Sequence, residues 1–211
     1  PVMVVLSLIL GVLVEESFLR FRTCYRVSVF LPSVTALVAY AMIFKLLFNT
    51  DFGLVNHILR TFGLGGVDWL NTVWGARAVV IMGITWRWTG YNMVFYLAGL
   101  QNIEYSVYEA AKIDGANGWK TFWKITVPLL KPTIIMTFIM SINGTLQLFD
   151  ESVNLTKGGP ANSTITMSHY IYNTCFINVP NFGYAAAMSF IIFIMVAVLA
   201  FINLKVGDTR D

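Results

Sequence analysis

Two sets of polar side chains stand out in a chain that is otherwise mostly hydrocarbon. Asn143, Gly144, Gln147 and Asp150 fall at i, i+1, i+4 and i+7, one stripe on a helix whose remaining positions are apolar. Earlier in the chain, Trp86, Arg87, Trp88, Tyr91 and Asn92 combine ring faces with hydrogen-bonding groups. Flat rings stack on the C–H faces of a cyclic polyol, and amides or a guanidinium hold its hydroxyls, so this mixture suits a sugar. Polar groups at membrane depth are costly and mark either a solute path or hydrogen-bonded glue between helices, and the pattern alone leaves both readings open. The chain shows no catalytic constellation. His57 and His169 have no cysteine or carboxylate cluster at metal spacing and read as surface histidines. No GxxxxGK[ST] phosphate loop occurs, so ATP hydrolysis by that route is excluded, and neither a metal nor a cofactor is expected.

The elements that must carry these residues follow from composition. Charged residues make up 12% of the chain and apolar residues 57%, and the mean hydropathy is +0.69. A soluble domain carries about twice that charge fraction. The chain therefore reads as an all-α polytopic membrane protein, and the small net charge of +3 gives no support to nucleic-acid binding. Five spans are expected: Pro1 to Val14, Val27 to Phe48, Ala76 to Ala98, Pro132 to Phe149 and Phe182 to Leu204. Between them lie a polar loop at Glu15 to Arg26, a Gly-rich loop at Asn49 to Gly75 and a second outer loop at Asp150 to Asn181. In the Gly-rich loop, Trp69 and Trp74 are the expected interfacial anchors. Gly183, Ala185, Ala186, Ala187 and Ser189 open the last span with small residues that permit close helix packing. Cys24 and Cys175 fall on opposite sides of the membrane in this arrangement, which excludes a disulfide between them and leaves both as packing residues.

The one long polar island is Ser106 to Pro132, SVYEAAKIDGANGWKTFWKITVPLLKP. Ser106 and Glu109 have capping-box spacing, which predicts a helix start, and Gly115 supplies a left-handed residue to end that helix after about two turns. Asn117 is placed to cap a second short helix on which Trp119, Phe122 and Trp123 make one apolar stripe, until Pro128 and Pro132 interrupt the hydrogen bonding. The expectation is helix, turn, helix, lying along the membrane surface.

Glu109-Ala110-Ala111, Asp114-Gly115-Ala116, Phe122, Ile125, Pro128 and Pro132 resemble the EAA motif of binding-protein-dependent ABC importer permeases, in the form found in maltose- and glycerol-phosphate-type sugar permeases. The similarity extends to FGLVN at Phe52 to Asn56, LAGLQ at Leu97 to Gln101 and GGP at Gly158 to Pro160. The resemblance implies a type I importer transmembrane domain covering residues 1–211. It would be N-terminally incomplete because the sequence begins mid-span, and its coupling loop would cover 101–131. Glu109, Ala110, Ala111, Asp114, Gly115, Ile125 and Pro128 would then couple to an ATPase. The implied partners are a second homologous permease, two ATP-binding subunits and an extracytoplasmic solute-binding protein, in a bacterial or archaeal inner membrane. A carbohydrate is the implied solute, with Asn143, Gln147, Asp150, Arg87, Tyr91 and Asn92 as the candidate pathway. A polyol or glycerol-phosphate is the alternative within that class, and an ATP-independent secondary transporter the alternative outside it.

Orientation follows from lysine and arginine, which are retained in cytoplasmic loops. Arg20, Arg22, Arg26, Lys112, Lys120, Lys124, Lys131, Lys205 and Arg210 occupy one alternate set of segments, against Arg60, Arg77 and Lys157 in the other. The first set is expected inside. In intact cells, Lys120→Cys should be blocked from an impermeant thiol reagent while Lys157→Cys reacts. Labelling at position 120 from outside would reverse the orientation and remove the coupling role.

Overall fold

Long apolar stretches broken by proline and by paired glycines leave helix as the way for most of this backbone to satisfy its own hydrogen bonds. A computed structural model describes residues 1–15 and 21–207, and no β-strand occurs among them. The sequence-derived positions Arg20 and Arg210 lie outside the described residues. The helices are α1 (Val2–Glu15), α2 (Arg22–Val34), α3 (Leu37–Leu47), α4 (Leu54–Thr61), α5 (Val73–Gln101), α6 (Tyr105–Ile113), α7 (Gly118–Thr121), α8 (Val127–Leu129), α9 (Lys131–Leu146), α10 (Met167–Tyr172) and α11 (Phe182–Gly207). A π-helical turn, Phe122–Thr126, joins α7 to α8, and further π-helical turns cover Ser152–Thr156 and Asn173–Ile177.

The chain forms two compact units. One comprises Pro1–Ser33, Arg87–Ser141 and Ala200–Asp211; the other comprises Val34–Trp86 and Ile142–Leu199. In the first, Val4, Leu8, Tyr96, Leu100 and Leu130 form a core on which Phe122 and Val127 pack. Val14, Met93 and Leu97 form a second cluster, flanked by Leu10 and Val29. Tyr96 and Thr137 are fully buried there and share a hydrogen bond between their hydroxyls. Thr137 also donates to the Thr133 carbonyl at 2.9 Å, so its single proton is committed and Tyr96 is the donor of the pair. In the second unit, Tyr40, Ala41, Phe44 and Phe48 of α3 and its C-terminal end pack on Val79, Val80 and Leu155. Trp86 stacks on Tyr40 at 5.9 Å and lies 5.5 Å from Phe44, so it serves helix packing.

Several expected elements are corrected. The span expected from Val27 to Phe48 is two helices, because the chain leaves helix after Val34 and Ala36 is extended at φ −57, ψ 132. Pro32, which lacks an amide proton, lies two residues before that exit, and Ser33 turns its hydroxyl onto the Phe30 carbonyl at 2.7 Å. Arg22 and Arg26, expected in a loop, are helical, and Arg26 pairs with Glu15. The Gly-rich loop contains α4. Asn56 on α4 is completely buried: its amide donates to the Thr50 and Val67 carbonyls at 3.0 and 2.8 Å and accepts from Val67 N–H and Trp69 Nε1 at 3.0 and 2.9 Å. Trp69 is therefore a packed hydrogen-bond donor that also meets Phe48 edge-on, while Trp74 is exposed.

The second outer loop is largely helical. His169 is buried within it, with Nδ1 at 2.7 Å from Ser152 Oγ. Ser152 donates to the Thr164 carbonyl at 2.7 Å, so His169 Nδ1 carries the proton of the pair, and burial holds the imidazole pKa below its ordinary value. The surface reading holds only for exposed His57. Cys24 and Cys175 are both free, and Cys24 is exposed, so it does not pack as expected. Of the small residues opening α11, Ala185 is buried and the others are exposed. By length and apolarity, Phe182–Ile202 is one helix able to cross a membrane alone among the described residues; Gly118–Leu129 with Lys131–Leu146 does so only as a pair bent by 69°.

Small residues set the closest approaches of α5. Ala76, Gly83 and Gly90 recur every seven positions, about two turns, and all are buried. A Cβ at Gly90 would stand 1.9 Å from the Val29 carbonyl oxygen, and one at Gly83 would stand 2.2 Å from the Tyr40 hydroxyl. The obstacle at Gly90 is backbone and cannot swing aside. Gly90→Ala should destabilise by about 1–3 kcal/mol through overpacking, read as a lower thermal midpoint and lower recovery from membranes. Gly144→Ala, with open space around its position, should leave both within error.

Candidate functional site

The polar island forms a helix, a reversal and a second helix within the first unit. α6 begins with Glu104 at the N-cap, and Ser106 donates its hydroxyl to Glu104 Oε2 at 3.2 Å. The expected Ser106/Glu109 capping box is thus not formed, because the helix starts at Tyr105 and Ser106 already lies inside it. The C-terminus behaves as expected. Gly115 is left-handed at φ +74, Ala116 N–H reaches the Ala111 carbonyl at 2.9 Å and Gly115 N–H reaches that of Lys112 at 3.1 Å, the paired bonds of a Schellman cap. Asn117 then caps α7, accepting from Lys120 N–H at 2.9 Å. The second helix runs through its π-turn to Leu129 and bends before Lys131, where Pro128 and Pro132 withhold amide protons.

This segment is anchored on one side and open on the other. Ala111 is buried, Tyr108 and Thr126 hydroxyls meet at 3.3 Å, and Phe122 packs on the Tyr96 cluster. Glu109, Ala110, Asp114, Gly115 and Pro128 are exposed, and Ile125 is half-buried. Ile113 is 85% and Trp119 71% exposed, a degree of apolar exposure that marks a contact surface when it sits on a braced helical element. The expected single stripe of Trp119, Phe122 and Trp123 is divided, with Phe122 in the core and both tryptophans outside, edge to face at 5.8 Å.

The candidate pathway residues fall in both units. In the first, Arg87 is buried with its guanidinium 5.7 Å from the Trp88 ring. Tyr91 is exposed between Trp88 and Phe95, with ring centroids at 5.7 and 5.4 Å. Asn92 is buried and donates to the Trp88 carbonyl of its own helix at 3.1 Å. In the second, Asn143 lies near the end of α9, with a buried Oδ1 that has no hydrogen-bond partner among the described residues. Gln147 is exposed one residue past the end of α9, and Asp150 begins the next helical segment. The expected stripe on one helix is therefore broken. Leu148 and Phe149 are non-helical, so i+7 no longer returns to the same face.

Sequence reasoning missed three buried polar arrangements: Asn56 and its loop, Tyr96 with Thr137, and Ser152 with His169. A signal existed for Asn56 alone, a carboxamide among Leu54, Val55, Ile58 and Leu59 on a short amphipathic helix.

Among the described residues the chain carries no strand and presents an exposed helix–turn–helix braced against its own unit. The family of binding-protein-dependent transport system inner membrane components matches residues 3–207, and the chain belongs to it. It is 51% identical to the lactose transport system permease protein LacF of Rhizobium radiobacter over all of this chain and 72% of that protein. It is 33% identical to the arabinooligosaccharides transport system permease protein AraP of Halalkalibacterium halodurans, over 96% of this chain and 65% of that one. The fold matches a chain of a bacterial ABC transporter involved in import of the acidic polysaccharide alginate, with TM-score 0.86 and 23% identity over 100% of this chain and 72% of that one.

The cap geometry gives a paired test. Gly115 and Gly118 both have open space around a would-be Cβ, but only Gly115 is left-handed. Gly115→Ala should cost about 1 kcal/mol, and Gly118→Ala should be neutral or slightly stabilising. Hydrogen exchange over residues 105–121 should accelerate about fivefold in the first variant alone. Equal exchange in both would show that the Schellman cap does not stabilise this segment.

Proposed function

We propose that this chain is a sugar-translocating permease subunit of an ATP-driven importer. It would pair with a second homologous permease and two ATP-binding subunits and receive a mono- or oligosaccharide from an extracytoplasmic binding protein. The observation that carries the sugar assignment is the 51% identity to a lactose permease over the whole chain. In this reading residues 1–211 form one transmembrane domain crossing the bilayer five times, with α2 and α3 together as one broken span. Among the described residues, the first unit holds every member of the lysine and arginine set assigned to the cytoplasm, and the second holds Arg60, Arg77 and Lys157. That partition supports an internal coupling segment.

The coupling step rests on the braced segment. Ile113, Ala110 and Trp119 would seat in an apolar groove of an ATP-binding subunit, with Glu109 and Asp114 at the rim. Closure of the ATPase pair would push on α6 and α7. Because Phe122 and Tyr108 tie the segment to its own unit, that displacement would be delivered to α5 and α9, opening access to one side and closing it to the other. In the second unit Asn143, Gln147 and Asp150 would meet the solute's hydroxyls, and in the first unit Arg87, Tyr91 and Asn92 form a separate candidate set for such contacts. Asn143 is the strongest of these, since its buried Oδ1 is an acceptor that a sugar hydroxyl would satisfy.

Two measurements on the assembled importer test this. Vanadate should abolish accumulation of the transported sugar; uptake that persists would favour an ion-coupled or passive carrier. In a panel containing lactose, other saccharides and glycerol 3-phosphate, Asn143→Leu should raise the half-saturating concentration of the preferred solute about tenfold, the loss of one buried hydrogen bond, with normal complex recovery. Poor recovery with unchanged concentration dependence would make Asn143 a packing residue.

A further inference from the structure

Within the second unit, a cleft of about 550 Å³ opens between α3 and the helical segments that follow Asp150, and neither Asn143 nor Gln147 lines it. Two lysines line it. Lys45 sits in the last turn of α3, and Lys157 ends the Ser152–Thr156 turn in a left-handed conformation at φ 52. A lysine near a helix C-terminus complements the helix dipole, which accounts for each lysine singly. It does not account for both lining one cleft whose lining includes no carboxylate. Neither ammonium has a hydrogen bond or ion pair among the described residues. The Tyr172 hydroxyl and the Asn173 amide line the same space, and neither side chain forms a hydrogen bond among the described residues; Asn154 and His169 also line it, with the Asn154 amide donating to the Asp150 carbonyl and His169 Nδ1 bonded to Ser152 Oγ. Much of the remaining lining is apolar, formed by Val38, Ala41, Met42, Val153 and Ile177.

From this arrangement we propose that the cleft is a binding site for a phosphate-type anion, held between Lys45 and Lys157 with Tyr172 and Asn173 donating to its oxygens. Lysine acts as a point charge toward phosphate, so two ammonium groups flanking a cleft without competing acids provide the charge such an anion needs. The apolar lining gives room for a hydrocarbon portion, so the anion comes either as the headgroup of an anionic phospholipid or as a free phosphate. Phosphatidylcholine carries its own ammonium group, which the two lysines disfavour.

The test uses the complete importer, purified in detergent and depleted of co-purified lipid, with thermal unfolding followed by tryptophan emission. Dioctanoyl phosphatidylglycerol, inorganic phosphate and dioctanoyl phosphatidylcholine are titrated separately. Phosphatidylglycerol or phosphate should raise the midpoint saturably, and phosphatidylcholine should not. In the Lys45→Gln/Lys157→Gln double variant the half-maximal concentration should rise about tenfold or more; in Lys45→Arg/Lys157→Arg, which keeps both charges, it should stay within about threefold. A response to phosphatidylglycerol at concentrations where phosphate has none assigns the site to lipid, and equal responses assign it to a free phosphate. Absence of stabilisation by either in the wild-type complex overturns the proposal. So does an undiminished response in the double glutamine variant.

Discussion

Tyr96 and Thr137 hold together the unit from which the coupling segment projects. They are 41 residues apart in sequence and completely buried, and their hydroxyls close a hydrogen bond between α5 and α9. A hydroxyl in that position without a partner would be expensive, so the contact fixes the register of the two helices as well as their adjacency. The cluster of Val4, Leu8, Leu100 and Leu130 packs around Tyr96, and Phe122 and Val127 pack on that cluster. The second helix of the coupling segment is thereby seated on the same side chain that joins the two long helices.

A transmitting element needs one face that is fixed and one that is free, and the segment from Tyr105 to Leu129 divides its residues in that way. Ala111 and Thr126 are buried, whereas Ile113 and Trp119 are among the most exposed apolar side chains of the described residues. The turn between its helices has no side-chain packing around Gly115. Its shape is set by backbone hydrogen bonds and one positive φ, so it is defined locally and can be moved as a body.

Buried polar groups play two parts in this protein. Asn56 uses both amide protons and both carbonyl lone pairs to hold a loop that has little apolar material, and Ser152, His169 and Thr164 do the same for the segment after Asp150. These are closed networks with nothing left for a ligand at the atoms named. Asn143 is the contrast, because its carbonyl oxygen is buried and unsatisfied. The difference between a satisfied and an unsatisfied amide separates structural polarity from candidate chemistry, and a list of polar residues in spans cannot make it.

The sequence by itself determined what depends on short-range rules. Composition fixed the all-helical membrane class, Gly115 and Asn117 fixed the reversal between α6 and α7, and Pro128 and Pro132 fixed where the chain bends, since each acts within about one turn of itself. The EAA spelling was long enough to indicate the family. Tertiary structure decided the rest. Whether His169 is exposed and whether Trp69 anchors or packs depend on partners 10 or more residues away, Ser152 and Asn56, that no local pattern encodes. Helical periodicity also projected Asp150 onto the face of Asn143, and that projection failed because it assumes unbroken helix through Leu148 and Phe149. A hydrophobic run specifies that a segment is buried in apolar surroundings. It does not specify which neighbour supplies them, and hydrogen bonds such as Tyr96 to Thr137 exist only once that choice has been made.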